Sequence, residues 1–91
     1  MTDQLEPAAK DAVTVAVSAV PGVRVLYPLS GLPGSAVVRL RDHEDALTCE
    51  LRLATDAAVP AREVVQGAAG AARRALGRED VVVRLEIASI E

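Results

Sequence analysis

Apolar positions recur along this chain with two periods, and the change of period marks its elements. Leu5, Ala8, Ala9, Ala12, Val13, Ala16, Val17 and Val20 fall at helical spacing and make one continuous stripe. That is the pattern of a helix with one buried face. Thr2 or Asp3 is placed to cap its start, and Pro7 is tolerated in a first turn. Residues 1–4 read as a fraying end. Val20-Pro21-Gly22 stops the helix, because Pro21 biases Val20 away from helical geometry and Gly22 permits a turn. Val15 and Ala19 lie outside the strict stripe, either widening the buried face or serving a contact.

The period then changes to two. Val23 to Tyr27 is a short strand or an extended lead-in. Residues 28–35, Pro-Leu-Ser-Gly-Leu-Pro-Gly-Ser, are a loop rich in chain-breakers. Leu26, Tyr27, Leu29 and Leu32 are apolar for such a setting, and suit either a cap over the core's end or a contact patch. Ala36 to Asp42 alternates as a strand, with Val38 and Leu40 on one face and Val37, Arg39 and Arg41 on the other. Asp42 to Asp45 is a polar hairpin tip. Ala46 to Ala54 alternates next, with Leu47, Cys49, Leu51 and Leu53 inward and Thr48, Glu50 and Arg52 outward. Facing arginines and glutamates on neighbouring strands suit cross-strand pairing.

A second helix opens at Pro60, a residue suited to a first helical position, and closes at Gly77. Val64, Gly67 or Ala68, Ala71, Ala72 and Ala75 or Leu76 make its inward stripe. Nearly all are small, so the helix lies close to its neighbours. In the last strand Val81, Val83, Leu85 and Ile87 point inward, and Val82, Arg84, Glu86 and Ala88 outward. Ile90 falls on the wrong parity, so the strand either ends near Ala88 or carries a bulge. The unit from Asp45 to Ile90, strand–helix–strand, organises the rest. The order predicts an α+β two-layer sandwich, α-(β)-β-β-α-β, with two helices on one face of a three- to four-stranded mixed sheet. The final strand runs parallel if it lies beside 46–54, and antiparallel if beside 36–42.

Length sets the scale of the core. A single domain of 91 residues buries only about 60% of its unfolded surface. With no Phe and no Trp, Val, Leu and Ala fill the interior, and modest stability follows, helped by self-association or a partner. The net charge of −3, with both signs interspersed, argues against a nucleic-acid or anionic-membrane surface. Met1-Thr2-Asp3-Gln4 lacks the look of a secretory signal. The uncharged runs 12–23 and 25–38 are too short and too broken to span a bilayer. A cytoplasmic chain without direct membrane insertion is expected.

Candidate chemistry is sparse. Asp42, His43, Glu44 and Asp45 offer metal ligands, but neighbouring strand residues point to opposite faces and converge poorly. Cys49 lacks a nearby base, since His43 is the single His, so a buried structural thiol fits better than a nucleophile. Gly67-Ala68-Ala69-Gly70 matches the GXXG of KH nucleic-acid modules, but it sits mid-helix among alanines with no basic residue inside. Close helix packing explains it better. No catalytic residues, metal or cofactor are therefore expected, and the chain reads as a non-enzyme. The candidate interaction surface is the open sheet face, Val37, Arg39, Arg41, Glu50, Arg52, Val82, Arg84 and Glu86, with Leu29 and Leu32 in the loop and the last strand's free edge.

One family has this order of features. A helix ends in Ala19-Val20-Pro21-Gly22-Val23, a Gly-containing loop follows, and a strand pair carries Thr48-Cys49-Glu50-Leu51-Arg52-Leu53. A connector and helix start read Val59-Pro60-Ala61-Arg62-Glu63-Val64-Val65-Gln66, before the final Val81-Val82-Val83-Arg84-Leu85-Glu86-Ile87 strand. From about residue 6 onward the chain resembles the alkaline-shock protein family of bacterial envelope-stress proteins. The loop around Gly31–Gly34 is short for that family, and the sequence carries no long charged or Gly-rich tail. The resemblance implies a non-enzymatic, self-associating cytoplasmic protein in envelope homeostasis, held at the inner face of the membrane in some cases by a small anchor protein. A KH-like nucleic-acid module is the alternative.

Overall fold

The computed structural model describes residues 2–31, 36–42 and 46–91, with residues 2–7 by backbone alone. The first helix, α1 (Thr2–Ser18), takes in Thr2–Gln4, so Pro7 falls in its second turn rather than its first. Val13 and Val17 are fully buried and Ala16 and Val20 pack beside them. Ala12, on the expected stripe, is exposed. Val15 and Ala19 also face outward, Val15 at 71% exposure.

Pro21-Gly22 turns the chain into β1 (Val23–Leu26). Gly22 is required here twice over. Its φ is +93°, and a Cβ would lie 2.5 Å from Val64 Cγ2, so neither backbone nor space admits a side chain. Its carbonyl accepts the Asp56 N–H at 2.8 Å, tying this turn to the end of the central strand.

That central strand is β3 (Leu47–Thr55). β2 (Val38–Asp42) pairs antiparallel with its first half and β1 antiparallel with its second, so the two lie end to end along one side of it. β4 (Val81–Ile90) runs parallel along the other side, Leu47 opposite Val81 through Leu53 opposite Ile87. Mixed pairing and the position beside 46–54 settle the strand order that periodicity leaves open. The register of β4 against β3 shifts after Leu53, where Ala54 faces Ser89. Ala88 is the extra residue of a bulge that sets Ile90 opposite Thr55, although Ile90 stays 64% exposed.

α2 (Ala61–Leu76) crosses between β3 and β4. Pro60 stands at its N-cap, and Gly77 closes it in the left-handed conformation, φ 67°, its N–H shared by the Arg73 and Arg74 carbonyls. Val64, Ala68, Ala71 and Ala72 are its buried face. Both helices lie on one side of the sheet, which is the two-layer α+β sandwich. Leu51, Leu53, Cys49, Val38 and Val81 complete the core with Val13, Val17 and Val64. No helix among the described residues is long and apolar enough to cross a membrane.

Candidate interaction surface

The sheet face turned away from the helices is built by register. Each buried residue of β3 alternates with an outward one, so cross-strand rows form on the open side. Arg41, Thr48 and Val82 make one row; Arg39, Glu50 and Arg84 make the next; Arg52 and Glu86 make a third. Four arginines thus share this face with two glutamates, although the whole chain is acidic.

Ion pairs link the strands. Arg39 Nη1 lies 3.6 Å from Glu50 Oε2, and Arg52 Nε 3.2 Å from Glu86 Oε1. Glu50 Oε2 and Arg52 Nε are themselves buried, yet neither contact has hydrogen-bond geometry. Their side chains as a whole stay partly exposed, so these are charge contacts of surface residues, each contributing at most about 1 kcal/mol. Arg84 has no ion-pair partner among the described residues. Val82 is half exposed, at 51%.

The far end of the same face is closed rather than open. Ala54 lies on it opposite Val25 and Ser89, yet is fully buried. Tyr27, whose N–H donates to the Arg52 carbonyl at 2.7 Å, sends its ring across β3. Its hydroxyl reaches Ser89 Oγ at 3.4 Å and donates to Glu91 Oε2 at 3.3 Å; Ser89 donates to the same carboxylate at 3.2 Å. Beside this bridge lies a shallow depression of about 410 Å³ lined by Tyr27, Pro28, Ser30, Gly31, Arg52, Ala88 and Ser89. Sequence reasoning misses Ser89 and Glu91 here. The broken parity of Ile90 is the one signal that points to this corner.

Of the expected surface residues, Arg39, Arg41, Glu50, Arg52, Val82, Arg84 and Glu86 come together on the open face. Val37 does not. It precedes β2, which starts at Val38, and packs half-buried against the core. Outside the ladder, the strand alternation no longer dictates its direction. Leu29 is half-buried, its N–H donating to the Ala36 carbonyl at 3.0 Å. Leu32 and the tip residues His43, Glu44 and Asp45 lie outside the described residues. Cys49 is buried under the helices, and burial, with Glu50 adjacent, pushes its thiol up to about 11. Gly67 and Gly70 both lie inside α2, not in a loop, and a Cβ at Gly67 would come within 2.8 Å of Val20 Cγ1 of the preceding turn.

The molecule is an α+β sandwich with one sheet face covered by helices and the other bare and charged. No family model matches the chain, and no curated protein or solved structure matches it. The alkaline-shock resemblance therefore rests on the residue pattern.

Proposed function

We propose that this chain is a non-enzymatic interaction protein of alkaline-shock type, serving bacterial envelope homeostasis from the cytoplasmic side. It works through its surfaces, by self-association or by contact with a small membrane-anchor protein, and holds no cofactor. The observation that carries the interaction role is the bare sheet face, where Arg39, Arg41, Arg52 and Arg84 stand in ordered rows with Glu50 and Glu86. A face of this kind suits an acidic protein segment, because arginine forks bind carboxylates in two-pronged fashion. The envelope role is supported by the pattern resemblance over residues 6–91. The GXXG tetrapeptide lends no support to a KH-like role, since both glycines lie inside α2 rather than in a loop and Gly67 packs against Val20.

The test is photo-cross-linking in the native cell. A cross-linking amino acid at position 41 or 84 is expected to trap a discrete protein in the membrane fraction, whereas one at Arg62, on the outer side of α2, is not. Equal labelling from both faces, or none from either, rejects the proposal.

A further inference from the structure

We infer that β4 pairs with β4 of a second copy of this chain, antiparallel about a two-fold axis at Leu85, giving one continuous sheet across a dimer. This rests on the interaction role above and gives its edge an occupant. Among the described residues β3 is the one strand that β4 bonds to, so its other side is an edge with no strand beside it; at its start Arg73 Nε of α2 donates to the Val81 carbonyl at 3.1 Å, upstream of the Val82–Ala88 stretch that pairs. Such an edge is a template for another strand unless something blunts it. β4 holds no Lys and no Pro, and its single bulge lies near its end, at Ala88.

Charge selects both the partner and the register. With Leu85 on the axis, Arg84 of each copy stands opposite Glu86 of the other, twice by symmetry. Val82 meets Ala88 on the same face, and on the helix side Val83 meets Ile87 and Leu85 meets Leu85. Sliding the pair by one step in either direction that keeps the faces matched sets Arg84 against Arg84, or Glu86 against Glu86, both at the axis. Slips of odd parity place charged residues of one copy beside apolar residues of the other. Of these registers, the one centred on Leu85 alone sets Arg84 against Glu86. Arg84, which has no ion-pair partner among the described residues, gains one.

Apolar packing agrees. Val83, Leu85 and Ile87 belong to the core side of the sheet, yet stay only half-buried. The helix layer reaches this strand at Val81, through Arg73, and leaves Val83, Leu85 and Ile87 incompletely covered. The mate's own Val83, Leu85 and Ile87 would continue the apolar layer there. An edge contact of this length is at the small end of specific interfaces, so dissociation on the order of micromolar is expected.

Sedimentation equilibrium of the full chain, from low micromolar to near millimolar, tests this. Wild type is expected to show a reversible monomer–dimer equilibrium. Arg84→Glu and Glu86→Arg each oppose like charges twice and should weaken it by about tenfold or more. An equimolar mixture of these two variants should associate again, because each supplies the charges that the other lacks. Restoration in the mixture identifies the register, which a general loss of stability does not produce. A strictly monomeric wild type, unweakened single variants, or a mixture that stays apart overturns the pairing. Should either variant fail to fold, amide exchange on wild type decides. Outward β4 amides must slow as concentration rises, and concentration-independent exchange overturns the inference. A monomer that still cross-links through position 41 would reject the dimer and leave the interaction role standing.

Discussion

Cys49 shows how a single residue reports on the fold around it. Its thiol is fully buried, and desolvation, helped by the Glu50 carboxylate, raises its pKa to about 11 from an ordinary 9.0. The unfolded chain therefore releases this proton at a lower pH than the folded one. Below pH 9 both states hold it, and the full stability is present. Between pH 9 and 11 the unfolded state alone ionises, so stability falls as pH rises, by up to about 2–3 kcal/mol for a shift of this size. Urea titrations at pH 8 and pH 10.5 should show this loss in wild type and a smaller one in Cys49→Ala. Equal pH slopes in the two proteins would exclude Cys49 as the source. The inward parity of Cys49 on its strand is legible in the sequence; the depth of its burial is not, because that depends on which elements cover β3.

The element that best separates readable from unreadable features is α2. Its span, its small inward residues and its Gly77 cap all follow from spacing. Its two internal glycines look alike in sequence and differ in space. At Gly67 a Cβ would meet Val20 Cγ1 at 2.8 Å, a branched side chain fixed at the helix junction. At Gly70 the nearest atom is Arg74 Nη1 at 3.2 Å, the far end of a flexible side chain. Gly70→Ala should therefore stabilise the protein by about 0.5–1 kcal/mol, the helix-propensity difference. Gly67→Ala should lose that gain to the clash and come out destabilising. Thermal melts of the two variants check this, and a parallel rise in both would remove the case for close packing at Gly67. The strand order is out of reach of periodicity, and the bulge at Ala88 is one of two alternatives that the parity of Ile90 leaves open. Alternation shows which side chains share a face, but not which strand lies beside which. Tyr27 illustrates the same limit. Its apolar character in a loop is plain, while its reach over Ala54 to Ser89 and Glu91 requires β1 and β4 to flank β3.

At the scale of the whole molecule, β3 is what all the other strands share. β1 and β2 bond to one side of it and β4 to the other, and no other strand pairing joins them among the described residues. With a core of Val, Leu, Ala and Cys and no large aromatic, few residues carry the burial, and Leu51 and Leu53 are the bulkiest of the fully buried side chains. Leu53→Ala should thus cost about 2–5 kcal/mol, a large share of the stability of a domain this size. Val15→Lys, on an exposed helix position, should change stability by no more than about 0.5 kcal/mol. Loss of β3 leaves β1, β2 and β4 without partners, so unfolding should be a single transition. Native-state amide exchange gives the independent check. β3 amides should exchange only through global unfolding, with the same free energy as the urea midpoint yields, while amides in the first turns of α1 exchange through local opening at lower free energy. If β3 exchanged ahead of the rest, or Leu53→Ala cost no more than Val15→Lys, the central strand would not be what holds the sandwich together.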